Sequence, residues 1–401
     1  MSPDGSDSIV PRRTWLKRLL GGIGAAGILA WERLAAAPAG EDGDVPRDTG
    51  PLTVRVNRPF DAETPPREFV SFLTPNHRFF VRSHFGPPPP ERIAESEWKL
   101  RVAGLVEASK ELTFRDIKRL EAVTVTAVLQ CSGNGRAFYR PRIPGVQWER
   151  GAVGNAQWTG VRLRDVLRPA GIRKDARHVQ FQGADRPPVP SVPLFTRSIP
   201  LEKALHPDTI LAYEMNGRPL PLLHGAPLRV ITPGWMADSC TKWLTDITLL
   251  SEESDGYYMQ TAYRLPLDPI EPGAAAESLR TRPVETMVVK SLIAAPAEGA
   301  TVPLAPVMIQ GVAWSGESKV LTVDVSLDEG KSWQPARFVG KEQPYAWRQW
   351  QLAWTPRVPG SVSILCRATD ETGAVQPLTS SWNPGGFLWN GWDRVTVTVG
   401  G

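Results

Sequence analysis

The C-terminal part of the chain, from Pro283 onward, consists of short β-branched and aromatic runs separated by turn residues. Turn clusters such as Asp328-Glu329-Gly330-Lys331 separate most of the runs. None of the runs has a helical period. Short strands at this spacing are typical of two packed antiparallel sheets. We therefore predict an all-β sandwich over residues 283–401. The runs are Met287–Ala294, Val307–Trp314, Val320–Leu327, Arg348–Trp354, Ser361–Ala368 and Val395–Val399.

Residues 69–282 show a different pattern, in which short apolar runs alternate with turns. Val123–Leu129 is a continuous β-branched run, as expected for a buried strand, and Leu228–Ile231 is a second strand that ends at Pro233-Gly234. Val161–Leu167 has helical spacing. The chain of 401 residues contains 35 glycines and 39 prolines, which favours many turns over a helical bundle. Mixed short strands and helices predict an α+β domain.

The N-terminus has the features of an export signal. Arg12-Arg13 precedes a short, glycine-interrupted apolar stretch at Leu19–Ala30, and the small residues Ala35–Ala39 suit cleavage. The paired arginines resemble the twin-arginine signal, which exports proteins already folded around a cofactor. The stretch is shorter than the roughly 20 residues that span a bilayer, but a disordered basic tail or a membrane anchor remains an alternative. We expect residues 1–39 to engage the twin-arginine translocation machinery and the mature protein to be periplasmic.

Two further segments are rich in turn-forming residues. Residues 40–68 contain many Pro, Asp, Glu and Gly residues and predict an extended lead-in to the α+β domain. Residues 266–283 contain four prolines (Pro266, Pro269, Pro272 and Pro283) and predict a linker between the two domains.

Charge balance and cysteine content exclude several classes of protein. The 46 basic and 42 acidic residues give a net charge of +4, which is too balanced for the basic stripe of a nucleic-acid-binding protein. Cys131, Cys240 and Cys366 are too few for a disulfide framework, and they have none of the spacings that bind zinc or attach haem.

Cys131 is the first candidate for chemistry. It follows the predicted buried strand in a loop that contains Gly133 and Gly135, so its thiol is presented at the edge of a sheet. Arg136 favours the thiolate, which is the form that acts as a nucleophile or a metal ligand. A buried structural cysteine and a cysteine-protease nucleophile are the alternatives that the loop alone leaves open.

Several separate segments, taken together, indicate a family. They are Arg78–His84, Cys131, Gly151–Leu163, Leu211–Gly217, Leu220-Pro221, His224-Gly225, Arg229, Pro233-Gly234 and Lys242–Leu244. In this order along the chain, they resemble the sulfite oxidase family of molybdopterin oxidoreductases, of the bacterial periplasmic sulfite dehydrogenase type. The resemblance implies a sulfite-oxidase-like molybdopterin-binding domain over residues 69–282 and an immunoglobulin-like dimerisation domain over residues 283–401, hence a homodimer.

The resemblance also implies a molybdenum–molybdopterin cofactor. Cys131 matches the single protein ligand of the metal, which a pterin dithiolene completes. The phosphate of the pterin is assigned to His84, His224, Arg229 and the stretch Cys240–Lys242, and Asp185 is assigned to the pterin N–H groups. Without the resemblance, the alternative for His224 is a structural histidine in a turn, and the alternative for Arg229 is a strand arginine that reaches solvent. The complete set of implied cofactor-binding residues is Phe80, Val81, Arg82, Ser83, His84, Asp185, His224, Arg229, Cys240, Thr241 and Lys242.

The substrate pocket follows from the same resemblance. Arg82 and Arg136 match the arginines that bind the substrate anion, and a guanidinium fork suits an oxyanion. Trp158 matches an indole N–H donor in the pocket, and Tyr263 matches the tyrosine that contacts the reactive oxo group. Tyr257 and Tyr258 lie close to Tyr263 in sequence, so a purely structural tyrosine is the alternative at this position.

The sequence departs from the family at two points. Animal-type members have a pocket arginine shortly after a Trp-Asn pair, whereas here Trp382-Asn383 is followed by Pro384-Gly385-Gly386. The effect of Gly385 at this position stays open. The chain also contains no haem domain, so we expect an external electron acceptor such as cytochrome c, with oxygen as an alternative.

The predicted function is periplasmic oxidation of sulfite, or of a similar small anion, to sulfate. Two alternatives remain. The first keeps the cofactor but reduces sulfoxides such as oxidised methionine, and the second is a cofactor-free binding protein on the same scaffold.

Overall fold

A computed structural model describes residues 52–273 and 279–400 of the protein. The predicted export signal at residues 1–39 and the first part of the predicted lead-in, residues 40–51, lie outside these ranges. Within the described ranges, no helix is both long and apolar enough to cross a membrane.

Strands dominate both parts of the described chain, and the helices are short. The strands of the first part are β1 (Thr53–Val56), β2 (Asp61–Glu63), β3 (Lys99–Gly104), β4 (Lys110–Thr113), β5 (Ala122–Gln130), β6 (Val153–Arg162), β7 (His178–Gly183), β8 (Thr196–Pro200), β9 (Ile210–Met215), β10 (Arg218–Pro219), β11 (Arg229–Ile231), β12 (Leu244–Leu250) and β13 (Arg264–Pro266). The strands of the second part are β14 (Thr281–Pro283), β15 (Lys290–Ala295), β16 (Thr301–Pro303), β17 (Val307–Trp314), β18 (Val320–Ser326), β19 (Gln334–Pro335), β20 (Arg337–Val339), β21 (Arg348–Trp354), β22 (Gly360–Asp370) and β23 (Asp393–Gly400).

The helices all lie in the first part of the described chain. The α-helices are α1 (Phe114–Lys118), α2 (Leu163–Leu167), α3 (Leu201–Leu205) and α4 (Tyr257–Gln260), and short 3-10 helices span Pro66–Val70, Asn76–Arg78, Pro90–Arg92, Arg136–Phe138, Arg168–Ala170, Leu222–His224 and Ala237–Ser239.

Two five-stranded sheets form the first part. One has the order β10-β9-β6-β5, with β11 also paired to β9, and the other has the order β4-β3-β12-β7-β8. Strand β12 runs parallel to β3 and antiparallel to β7. Leu100 and Phe181 of the second sheet join Val161 and Leu211 of the first in one buried apolar cluster, which is the core of this part. The predicted α+β class is confirmed.

Strand β5 carries the chain into the interior. Its first half is partly exposed, whereas Ala127–Gln130 are all buried, and the strand pairs along its whole length with β6. The predicted strand at Val123–Leu129 is therefore confirmed with one residue more at each end, and its last residue delivers Cys131 to a buried position.

The second part is the predicted sandwich. Its sheets have the orders β15-β17-β21-β20 and β16-β23-β22-β18-β19. In β23 the buried residues Val395, Val397 and Val399 alternate with exposed or partly exposed neighbours, because one face of a strand points into the core and the other outward. They pack with Ile309 and Trp350 from the opposite sheet. The predicted bounds of β17 and β21 agree with the structure, and β15, β18, β22 and β23 differ by one to three residues at one or both ends.

Three local expectations need correction. The helix expected over Val161–Leu167 is only Leu163–Leu167, because Val161 and Arg162 still pair with β9 as the end of β6. The described part of the lead-in is a paired hairpin, β1–β2, rather than an extended segment. The predicted linker, residues 266–283, starts at the last residue of β13 and ends with strand β14, and these two strands pair with each other.

The two parts pack against each other within one compact unit. Trp314 Nε1 on β17 donates to Gln130 Oε1 on β5 at 2.8 Å, and both side chains are buried. The Val128 amide donates to the Tyr345 carbonyl at 2.9 Å, and Trp347 Nε1 donates to the Phe72 carbonyl at 2.8 Å. A boundary at residue 283 stays a prediction.

The buried Trp314–Gln130 contact gives a first test of this packing. We expect Gln130→Leu to lower the free energy of unfolding by about 1–3 kcal/mol, because the indole N–H of Trp314 is left without an acceptor. Urea unfolding with tryptophan fluorescence measures the change. An unchanged denaturation midpoint would mean that the two parts do not depend on this hydrogen bond.

Candidate active site

The loop that carries Cys131 is fixed by backbone hydrogen bonds. The Cys131 amide donates to the Ala152 carbonyl at 2.9 Å, and its carbonyl accepts from the Asn134 amide at 2.9 Å. The Asn134 side chain in turn accepts from the Ala152 amide at 3.1 Å. Gly133 is required because a Cβ there would lie 2.6 Å from the guanidinium of Arg136. The thiol is held in one place, as a metal ligand must be.

Cys131 opens into a cavity of about 750 Å³, including its open mouth. The cavity gathers segments that are far apart in sequence, and most of the predicted cofactor-binding residues are among its lining. The lining residues are Phe79, Phe80, Arg82, Ser83, His84, Leu129, Cys131, Ser132, Asp185, Phe195, Leu223, His224, Arg229, Ala237, Asp238, Cys240, Thr241, Lys242, Trp243 and Tyr263.

Arg229 and Lys242 supply positive charge to the cavity wall. Arg229 donates to the carbonyls of His224 at 2.8 Å and Cys240 at 3.1 Å, and Lys242 Nζ donates to the Leu223 carbonyl at 2.9 Å. Burial lowers the pKa of Lys242 to about 7 and the pKa of Arg229 to about 10. A phosphate here would offset the charge that burial disfavours.

Two buried polar atoms in this wall have no hydrogen-bond partner among the described residues. They are Nε of Arg229 and Oγ1 of Thr241, both on cavity-lining residues. Buried polar atoms are nearly always paired, so unpaired ones mark a place where a ligand completes the structure. The donor set fits the phosphate of a pterin.

His224 and Asp185 also line the cavity, and the structure defines their states. His224 Nε2 lies 2.9 Å from the Asn76 carbonyl, and burial lowers its pKa to about 3. Without a bound anion, His224 is therefore neutral at pH 7. Burial raises the pKa of Asp185 to about 6, and the nearby charge of Lys242 opposes that shift.

A buried ion pair lies near Cys131. Arg82 Nη1 is 3.0 Å from Asp61 Oδ2 on β2, and the other carboxylate oxygen of Asp61 accepts from the Ser83 amide at 3.0 Å. Burial raises the pKa of Asp61 to about 6, with Arg82 opposing the shift. Arg82 is near enough to the Cys131 thiol and to Tyr263 to interact electrostatically with both.

Tyr263 faces the same cavity in a constrained conformation. Its φ is +53°, in the left-handed region that non-glycine residues rarely adopt. Its hydroxyl lies 3.1 Å from His84 Nε2, and the His84 ring stacks on Phe195 with centroids 4.4 Å apart. Burial raises the pKa of Tyr263 and lowers that of His84, so both are neutral near pH 7. The predicted contact of His84 with a phosphate stays a prediction.

Three predicted site residues lie outside the cavity lining. Trp158 is fully buried in the first sheet, where its indole N–H points to the Ala127 carbonyl at 3.4 Å and Arg229 covers its ring at 5.0 Å. Trp158 therefore packs against Arg229, and its predicted role as a pocket donor stays a prediction. The backbone of Val81 forms an antiparallel β-bridge with Ala62. It contributes no side chain to the cavity.

Arg136, the third such residue, joins the second part of the chain to the Cys131 loop. Its Nε and Nη2 donate to the Gly385 carbonyl at 3.2 and 3.0 Å, and Nη1 donates to the Val146 carbonyl at 3.1 Å. These backbone contacts hold the guanidinium in place. The predicted role of Arg136 in substrate binding stays a prediction.

The segment around Gly385 explains how the chain departs from the family pattern. A Cβ on Gly385 would lie 2.2 Å from the ring of Phe387, so no side chain fits there beside that ring. The ring stacks on Tyr263 with centroids 5.2 Å apart and an interplanar angle of 11°, and it lies 5.4 Å from the Arg136 guanidinium. An aromatic ring thus occupies the region that an arginine side chain from position 385 would enter.

Sequence reasoning missed three residues of this site. Asp61 comes from the segment taken as a lead-in, Phe195 from a loop, and Asp238 from the short helix before Cys240. Asp238 had one visible signal, since it is an acidic residue among small and apolar ones, directly between a strand–turn and Cys240.

Comparison with known proteins agrees with this geometry. Residues 85–258 match the oxidoreductase molybdopterin binding domain, and residues 281–400 match the Mo-co oxidoreductase dimerisation domain. The sulfite oxidase of Arabidopsis thaliana is 36% identical over 378 residues, covering 87% of this chain and 94% of the relative. The chain belongs to the sulfite oxidase family of molybdopterin oxidoreductases.

Other family members extend the comparison. The mitochondrial sulfite oxidase of Rattus norvegicus is 37% identical over 364 residues, covering 87% of this chain, and the match spans 66% of the length of that relative. The crystal structure of the sulfane dehydrogenase SoxCD from Paracoccus pantotrophus superposes with a TM-score of 0.71 at 27% identity, covering 91% of this chain and 88% of the other. The cofactor of this family is molybdenum–molybdopterin, and the thiol, cations and unpaired donors described above fit it.

The buried lysines give a pH-dependent test of the cofactor site. Burial lowers the pKa of both Lys242 and Lys290 to about 7, from an ordinary value of 10.5. Above pH 7 the unfolded chain therefore binds protons that the folded chain does not, so each lysine makes stability rise with pH, by at most about 1.4 kcal/mol per pH unit. In cofactor-free protein, Lys242→Met and the control Lys290→Met should each reduce the increase in the free energy of unfolding between pH 7 and 8.5.

Cofactor loading separates the two lysines. A bound phosphate raises the pKa of Lys242 only, so loading should abolish the effect of Lys242→Met on the slope and leave that of Lys290→Met. Thermal unfolding at four pH values measures both. Equal responses of the two variants to loading would place the phosphate away from Lys242.

Proposed function

We propose that this chain is a molybdenum-dependent sulfite dehydrogenase, which oxidises sulfite to sulfate and passes the electrons to an external acceptor. The observation that carries the proposal is the partly buried cation Arg82 in the cavity that also contains the thiol of Cys131. Relatives with 36–37% identity that are named sulfite oxidases support the choice of substrate.

Arg82 is the residue we assign to binding the sulfite anion. Its planar guanidinium suits two oxygens of an oxyanion. Asp61 is buried, fixes one edge of the guanidinium and offsets part of its charge. Because the pKa of Asp61 is raised to about 6, this carboxylate is ionised at pH 7 and loses its charge below about pH 6.

Tyr263 and His84 form a neutral, hydrogen-bonded pair near the anion site. Since burial raises the pKa of Tyr263, its hydroxyl keeps its proton and can donate a hydrogen bond to an oxygen of the substrate or product. His84 holds the hydroxyl from the other side at 3.1 Å. When bound, the molybdenum cofactor supplies the oxygen transfer to sulfur and takes up two electrons. Overall, sulfite and water give sulfate, two protons and two electrons.

A sulfane-sulfur compound is the second candidate substrate. The superposition on the sulfane dehydrogenase SoxCD favours it, because that protein matches over 91% of this chain. The aromatic ring of Phe387 beside Tyr263 also makes this side of the site less polar. Sulfite remains the first choice, because the named sulfite oxidases share more sequence with this chain.

The proposal includes a periplasmic location, cytochrome c as the electron acceptor and a homodimeric assembly. The twin-arginine sequence at Arg12-Arg13 supports export to the periplasm, where cytochrome c is available as a one-electron acceptor. The match of residues 281–400 to a dimerisation domain supports a homodimer. Light scattering on the purified mature protein tests the dimer, and a mass equal to one chain would contradict it.

Metal content and turnover, measured on the same sample, test the function. We expect about one molybdenum per chain and sulfite-dependent reduction of cytochrome c, and Cys131→Ser should lose both metal and activity. Metal without sulfite turnover would replace sulfite by a sulfane compound or by a sulfoxide, each of which is assayed in parallel. A preparation that folds in a molybdenum-replete host but contains no metal would mean a cofactor-free binding protein.

The two arginines near Cys131 should respond differently to substitution. Arg82→Gln should raise KM for sulfite by about tenfold to a hundredfold, because a charge-assisted contact with the anion is lost. Arg136→Gln should change KM less than about threefold and lower the thermal midpoint instead, because its contacts are structural. Steady-state kinetics and thermal unfolding, with exposed Arg140→Gln as control, decide the point. A similar rise in KM for both variants would return Arg136 to the substrate pocket.

A further inference from the structure

A second buried ion pair lies behind the cavity. Arg197 Nη2 on β8 is 2.9 Å from Asp238 Oδ2, and the two side chains are 1% and 3% exposed. Asp238 lines the cavity, whereas Arg197 lies behind it. Charged side chains are rarely buried so completely unless they are paired, because desolvation is costly. Because a buried ion pair adds little net stability, we looked to the residues that this pair contacts for its role.

The carboxylate of Asp238 holds the residue next to the metal ligand. Its Oδ1 accepts a hydrogen bond from the hydroxyl of Ser132, which directly follows Cys131. The carbonyl of Ser132 accepts from the Leu388 amide at 2.9 Å. Ser132 is thus held through its side chain by Asp238 and through its backbone by the second part of the chain. The peptide that carries Cys131 cannot shift without breaking one of these bonds.

The guanidinium of Arg197 holds the segments that position Tyr263. Nη1 donates to the Tyr258 carbonyl at 2.6 Å, and Nη2 donates to the Val284 carbonyl at 3.0 Å. The Val284 amide in turn donates to the carbonyl of Tyr263 at 2.8 Å. The guanidinium carbon also lies 5.5 Å from the centre of the Tyr263 ring. These contacts maintain Tyr263 in its unfavourable left-handed conformation.

We propose that the Arg197–Asp238 pair is a positioning unit, which sets the Cys131 thiol and the Tyr263 ring relative to each other across the cavity. The connection runs without a gap from Ser132 through Asp238, Arg197 and Val284 to Tyr263. Neither charged residue touches the reacting atoms, so both act through the residues they hold. The role does not depend on which sulfur compound is the substrate.

The main test uses three variants of the pair. Asp238→Asn and Arg197→Met each leave one buried charge unpaired, and both should lower the thermal midpoint, by about 5–15 °C. The double variant removes both charges and should recover most of that loss. Arg150→Met with Asp393→Asn is the matched control, since this largely buried ion pair lies outside the cavity lining.

Reactivity of the thiol in cofactor-free protein separates positioning from stability. Alkylation by iodoacetamide, followed by mass spectrometry, gives the rate for Cys131, with buried Cys366 as an internal reference for unfolding. We expect the rate at Cys131 to rise about tenfold in the double variant despite its recovered midpoint, and to stay at the wild-type value in the control pair. In molybdenum-loaded protein, the EPR spectrum of the one-electron-reduced metal should shift in the double variant only.

Two results would overturn the proposal. One is a double variant with wild-type alkylation of Cys131 and a wild-type EPR spectrum, which would leave the pair a stability element. The other is an equal increase in the alkylation rate of Cys131 in the control pair, which would indicate that any loss of a buried ion pair increases the local opening of the fold. If a single variant fails to fold, both measurements can still be made on the double variant, which is expected to fold. The alkylation result is independent of sulfite turnover, so it stands or falls separately from the proposed function.

Discussion

Burial of positive charge is the physical constraint on which the site depends. Arg82, Arg229 and Lys242 line one cavity, where like charges repel. Two carboxylates, Asp61 and Asp185, offset part of that charge, and backbone carbonyls accept hydrogen bonds from Arg229 and Lys242. An excess of positive charge remains. An anionic cofactor bound here would offset it, so its binding and the folding of the chain would support each other.

The second part of the chain contributes to this arrangement directly. Its segment around Gly385–Leu388 accepts hydrogen bonds from Arg136, donates one to Ser132, and stacks Phe387 on Tyr263. Asn383 stabilises that segment, because its side chain bonds both the amide and the carbonyl of Phe387. The sandwich therefore does more than offer a surface for assembly. It forms one wall behind the catalytic groups, and the Cys131 loop depends on it.

Much of the fold could be predicted because its signals are local. The β-branched run before Cys131 and the alternation in β23 report burial within a few residues, and both appear in the structure as expected. Trp158 shows the limit of such reasoning. Most residues of β6 are buried on both faces, so periodicity gives no indication of which way the indole points.

The rest of the site depends on contacts between distant segments. Asp61 meets Arg82 only because β2 pairs with the segment at Val81, and nothing in a stretch rich in proline and acidic residues announces that pairing. Arg197 and Asp238 are 41 residues apart, and neither segment predicts that the two side chains pair. The cavity brings together most of the residues that were identified by resemblance, whereas nothing in the sequence indicated which distant residues hold them in place.

The contact between Gly385 and Phe387 also bears on how this pocket can change. An arginine at position 385 collides with the aromatic ring while the loop keeps its shape, so that single replacement is disfavoured. Removing the ring first would leave Tyr263 without its stacking partner and open a void beside the Arg136 guanidinium. Because each residue limits what the other position can hold, substitutions at 385 and 387 are expected to have coupled effects on stability rather than additive ones.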